Sequence, residues 1–267
     1  MSEYVSGSEF TTGSPSSVST STTSTTSVVP RGTALRLKID VATPLLRVAM
    51  STYWRSGDPG TRYIEYLQTM HMVIRASVPL MDLAVSRCAE LAPYEPAAVT
   101  LRSYLIRHIA EERHHDDWIV DDLRATGFDP TALLAEQPAP VIAALVGSQY
   151  YWVNHYHPVC LLGYIAVLEG HAPSSQLSER LRAATGFPAE AFRALDHHAD
   201  VDDRHAAQLY QLLDGLPLTA SQDAAVGVSA LHTAASLTEL FNNGAHRAHA
   251  PHGPNPPVSP VPQGARP

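Results

Sequence analysis

Cysteine is scarce in this chain: two residues, Cys88 and Cys160, in 267. Both sit in apolar helical patterns, which suits buried thiols in a reducing compartment and excludes a disulfide framework. Positive charge is also in deficit. Lys and Arg number 18 against 26 Asp and Glu, and the net charge of −8 argues against a nucleic-acid partner. No apolar run is long enough to span a bilayer, and the N-terminal stretch lacks a basic region followed by an apolar core. Neither membrane insertion nor a signal peptide is therefore expected, and a cytoplasmic location is. Missing too is any alternation of Val, Ile and Thr between Asn-Gly or Asp-Gly turns, which excludes a β-rich fold.

What is present is a period near 3.6, with Ala, Leu and Arg abundant, between two tails of low complexity. Residues 1–33 are dominated by Ser and Thr, and 245–267 by Pro, Gly, Ala and His. Neither composition buries enough surface to offset its chain entropy, so both tails are expected to be disordered around one all-α domain at 34–244. Helices are expected at about 34–54, 61–92, 97–126, 138–169, 174–185, 188–213 and 219–243, separated by Gly- and Pro-containing breaks. Pro158 is expected to kink the fourth helix, because the apolar pattern resumes at once. Long antiparallel helices of this kind can hold a site in the bundle centre.

Fourteen histidines are an excess, and most fall inside helical segments. On the sixth helix, His198, Asp202 and His205 share one face at i, i+4 and i+7, between Leu195 and Leu209. On the third, Leu101, Leu105, His108, Glu112, His115, Ile119 and Leu123 form one stripe, so Glu112 and His115 interrupt a core face. Glu111 lies off the stripe and His114 points away. Glu169 closes an otherwise apolar run, where a lone carboxylate must be paired, protonated or metal-bound unless it ends the helix in solvent. On the second helix, His71 and Asp82 share a stripe with Arg75 at its edge, and Asp82 is the best candidate for a further carboxylate. His108, Glu111 and His71 stand in reserve as ligands or as hydrogen-bond partners of ligands, and His155 could be such a partner. The tyrosine-rich run Tyr150-Tyr151-Trp152, with Tyr156, reads first as packing between helices.

Four carboxylates, Asp82, Glu112, Glu169 and Asp202, would neutralise two divalent irons, and mixed oxygen and nitrogen ligation suits iron or manganese rather than structural zinc. A buried polar network without metal is the competing reading of the same residues. The Glu-x2-His pair expected twice in ferritin-like bundles occurs once; the other half is His-x3-Asp-x2-His.

On these residues the sequence resembles the heme-oxygenase-like diiron oxidases and oxygenases, the iron-containing redox enzymes, from roughly Arg62 to Phe241. The carriers are Ile74-Arg75-Ala76-Ser77-Val78-Pro79-Leu80, the run His108 to Trp118, Gly163-Tyr164-Ile165-Ala166-Val167-Leu168-Glu169-Gly170, and His198 to His205. The resemblance implies a heme-oxygenase-like bundle of about seven helices. It implies two Fe ions held by Glu112, His115, Glu169, His198, Asp202 and His205, with an early-helix acid, here Asp82. It also implies a nonheme diiron oxygenase or oxidase that activates O2 in specialised metabolism. The expected reactions are C–H abstraction, N-oxygenation or oxidative C–C cleavage. The substrate expected is a small molecule, a free amino acid or amino-acid derivative first, with Arg75 pairing its carboxylate. An external electron donor and a homodimer fit that frame. The rival readings are a metal-independent hydrolase, lyase or cofactor-synthesis enzyme on the same fold, and a non-enzymatic metal- or partner-binding bundle.

Overall fold

In the computed structural model, residues 29–247 are described, Ala172 and a few side chains excepted, and none of them forms a β-strand. Most of residues 1–33, and all but the first few of 245–267, lie outside the described residues. The helices are α1 (Arg31–Ala42), α2 (Pro44–Arg55), α3 (Pro59–Ile74), α4 (Ser77–Leu91), α5 (Pro96–Glu112) and α6 (His115–Ala125). They continue as α7 (Thr131–Ala135), α8 (Pro140–His155), α9 (Leu161–Glu169), α10 (Ser175–Thr185), α11 (Arg193–Gly215) and α12 (Ala220–Arg247).

The expected rods are present, but four of them are interrupted. The first splits at Thr43, where Pro44 opens α2 without an N–H to give. The second splits at Arg75-Ala76, two residues before Val78-Pro79 in the first turn of α4. The third splits at Arg113-His114. The fourth does not kink at Pro158 but breaks: α8 ends at His155 and a 3-10 turn at Pro158–Cys160 precedes α9. His157 stabilises that break, its Nδ1 accepting from the Val159 N–H at 3.1 Å while Nε2 lies 3.0 Å from Glu95 Oε2.

Helix α12 is the spine, packing against α1, α2, α8 and α9. Gly163 of α9 lets the two backbones meet: a Cβ there would run into the Val226 carbonyl and lie 2.7 Å from the Ala230 nitrogen. Helix α11 packs on α1, α6 and α9. Its start is pinned twice. Tyr63 donates to the Ala191 carbonyl at 2.7 Å and stacks on Phe192, ring centres 4.6 Å apart. The wholly buried Asp122 of α6 accepts from the Ala194 N–H at 2.9 Å, giving an orphan amide of the first turn its partner.

Candidate metal centre

Glu112 is the last residue of α5. Arg113 turns the chain out of the helix at φ −60° and ψ 135°, and His114 adopts φ 71°, the one left-handed residue other than glycine among those described. A branched polar side chain in this region costs on the order of 1 kcal/mol, and such strain gathers at functional sites. The result is that His115, first residue of α6, still meets Glu112, its Nδ1 2.9 Å from Oε2, although the two no longer share a helix. Helix α9 brings Glu169 from its last turn, and α11 brings His198, Asp202 and His205 from its middle.

The side chains converge as two groups. In one, donor atoms of His108, Glu112, Glu169 and His205 lie within 4.8 Å of one another; in the other, those of Glu112, His115 and His198 do. Glu112 belongs to both. His108 Nε2 is 2.8 Å from Glu169 Oε1, and His205 Nδ1 is 3.7 Å from both Glu169 Oε1 and Glu112 Oε1. Metal–ligand bonds of 2.0–2.2 Å place donors about 3–4.4 Å apart, so each group is of the right size for one ion.

The outer nitrogens have partners of their own. His205 Nε2 lies 3.0 Å from Glu111 Oε2 and 3.5 Å from Arg204 Nη2, and the same carboxylate oxygen is 4.0 Å from His108 Nδ1. His198 Nδ1 lies 3.2 Å from Asp202 Oδ1, which leaves Nε2 facing inward. Carboxylates on the far nitrogens of histidines fix tautomer and ring orientation, as they do around bound metals.

Three buried atoms then lack any hydrogen-bond partner: His198 Nε2, His205 Nδ1 and Glu169 Oε2. Orphaned polar atoms of this kind are costly, and two imidazole nitrogens and a carboxylate oxygen are what a divalent ion of intermediate hardness takes. The residues therefore fit a metal. Without one, protons hold the cluster together. Burial pushes the Glu169 carboxyl up, against the hydrogen bond from His108, to about 7. Burial also works against a charged His108, but Glu169 more than offsets it, so this pair shares a proton. Glu112 is held down to about 2: burial raises it, and the hydrogen bond and charge of His115 outweigh that. His205 is shifted toward the neutral form by burial and by His108, as suits a ligand.

A cavity of about 130 Å³ opens against the cluster, touching His108, Glu112, Glu169, His198 and Asp202. Its remaining wall comes mostly from apolar residues of α2, α3, α4, α9 and α12.

Several expectations are corrected by this geometry. Asp82 is exposed on α4 and is not among the converging side chains, because the break at Arg75-Ala76 reorients α4 relative to α3. Glu111 lies one layer out, outside both converging groups, with Oε2 3.0 Å from His205 Nε2. His108, held in reserve, sits in the centre of the cluster. Asp202 reaches the outer nitrogen of His198 rather than the converging donors. His71 is buried but lines neither cluster nor cavity; the charges facing it are Arg75, Asp116 and Asp117. Arg75 does not line the cavity either. His155 is exposed and packs on Tyr151, ring centres 4.7 Å apart.

An all-α bundle that gathers four imidazoles and two carboxylates beside an internal cavity defines a heme-oxygenase-like protein with a candidate metal site. The sequence profile of the iron-containing redox enzymes matches residues 64–238, and the chain belongs to that family. Among solved structures it is similar to a domain of unknown function with a heme oxygenase-like fold from Shewanella denitrificans (TM-score 0.65, 15% identity, 81% of this chain and 90% of that one). It is also similar to a TenA homolog from Pseudomonas syringae pv. tomato (TM-score 0.60, 16% identity, 82% and 93%). No curated protein matches the chain.

Proposed function

We propose that this protein is a nonheme diiron oxygenase or oxidase that uses O2 to oxidise a small substrate. The observation that carries this reading is the sharing of Glu112 between two converging ligand groups whose buried donor atoms include three without partners. His108, Glu112, Glu169 and His205 would hold one ion; Glu112, His115 and His198, with Asp202 beside them, would hold the other. Bound iron supplies the redox chemistry with O2 that no side chain here provides. The chain's own part is to orient the ligands through Glu111 and Asp202, to bury the centre among helices, and to seat substrate in the adjoining cavity.

The thiol-dependent form of the metal-independent alternative needs a reactive cysteine, and the two cysteines do not supply it. Cys88 and Cys160 are buried, neither lines the cavity, and burial pushes their thiols up to about 12 and about 11.

Anaerobic loading with Fe(II) followed by metal analysis tests the proposal, with two irons per chain and substrate-dependent O2 consumption expected. Glu169→Ala and His198→Ala should each lose iron. If both kept full iron content and turnover, the assignment would fail; activity retained in chelator would favour the hydrolase or lyase.

A further inference from the structure

The cavity beside the cluster is built almost wholly of hydrocarbon. Away from the candidate ligands its wall is Leu, Ile, Val, Met, Ala, Pro and aromatic residues, and the polar groups are confined to Ser77, His171 and the hydroxyls of Tyr66 and Tyr164. Among the described residues that line it there is no Lys or Arg. The Tyr164 hydroxyl is buried and has no hydrogen-bond partner among the described residues. His171 donates from Nδ1 to the Val167 carbonyl at 3.0 Å, which fixes its tautomer and leaves Nε2 as an acceptor. Three methionines, Met50, Met70 and Met81, give the wall a flexible, polarisable surface that adapts to apolar shapes.

A charged group seated against this wall, away from the candidate ligands, has no counterpart, and a charge taken there without a partner is strongly disfavoured. The 130 Å³ of space is slightly less than an engineered apolar cavity of about 150 Å³ that binds benzene, so it holds about five or six heavy atoms.

We infer that the part of the substrate seated in this cavity away from the candidate ligands is uncharged and mainly hydrocarbon, about five or six heavy atoms, with at most one hydrogen-bond donor, which His171 accepts. A molecule whose far end is charged, such as one with a lysine side chain, is not the ligand of this cavity. The substrate class rests on the cluster being the reaction centre, since only then does the cavity hold the group to be oxidised.

Calorimetric titration of the anaerobic iron-loaded protein with ethanol, propanol, butanol, hexanol and octanol, and with leucine and lysine, tests the inference. Each added methylene should lower Kd about fourfold, the equivalent of about 0.8 kcal/mol, until the cavity is filled. Met70→Trp, which narrows the cavity, should move the plateau to a shorter chain, and Met70→Leu should leave it in place. A flat alkanol series, or lysine binding more tightly than leucine, overturns the inference even if two irons are bound. The same titration on iron-free protein separates the two proposals. A rising series without iron uptake keeps the apolar ligand and removes the reaction centre; two irons with a flat series does the reverse.

Discussion

Glu111 offers a measurement that separates an ordered metal site from a coincidental cluster of polar side chains. Its Oε2 sits 3.0 Å from His205 Nε2 and 4.0 Å from His108 Nδ1, so one oxygen steadies two histidines that arrive from different helices. Removing such an outer partner typically costs about 10- to 100-fold in metal affinity. The side chain is 43% exposed, so water screens its charge and the lower half of that range is expected for loss of charge alone. Glu111→Gln keeps the side chain's size and one oxygen but not its charge and should weaken binding about tenfold or less. Glu111→Ala removes the acceptor and should approach the upper end. Competition for Fe(II) or Mn(II) against a chromophoric chelator, without oxygen, reads both values directly. Thermal unfolding provides a second reading, because a tenfold weaker Kd removes about 1.4 kcal/mol of metal-linked stabilisation at saturating metal. If Glu111→Ala binds metal as tightly as the unaltered protein, or if Gln is as damaging as Ala, orientation through this oxygen is wrong.

Three further outcomes follow from other parts of the structure. His114 stands at φ 71° with its side chain paired only to the exposed Asp117, so His114→Gly should be more stable than His114→Ala by about 1 kcal/mol in urea unfolding; equal stability would remove the strain assigned to that residue. Asp122 titrates abnormally: burial raises its carboxyl to about 6, against the pull of the Ala194 and Arg193 amides. Between pH 8 and 5 the folded state therefore binds more protons at this group than the unfolded one, and the group's contribution to stability rises as pH falls. Relative to Asp122→Asn, which does not titrate, the unaltered protein should gain about 1 kcal/mol over that interval in chemical denaturation, and a pH-independent difference would contradict it. Asp82→Ala should leave iron content unchanged and stability within about 0.5 kcal/mol, because the side chain is exposed; loss of iron would return Asp82 to the ligand set.

The all-α class and the family were legible in the sequence because both rest on local periodicity and short motifs. His198, Asp202 and His205 lie on one uninterrupted helix, where a step of about 100° per residue is enough to place them together. Glu169 was legible for a different reason: a carboxylate in an otherwise apolar run is anomalous wherever the run is buried. The same periodicity misled on the second helix. Asp82 and His71 share a stripe only if the chain continues straight from 61 to 92, and the turn at Arg75-Ala76 removes that continuity. Pro79 in the following turn was the available signal.

The chain alone thus determined which residue types were present for metal binding and which helix faces carried most of them, since these depend on side-chain chemistry and helical geometry. Only the tertiary structure decided that His108 belongs at the centre, that Glu111 supports two histidines from outside, and that Glu112 is common to both ligand groups. Those relations depend on how α5, α6, α9 and α11 pack and on the left-handed residue His114, and distances between helices have no period in sequence from which to be read.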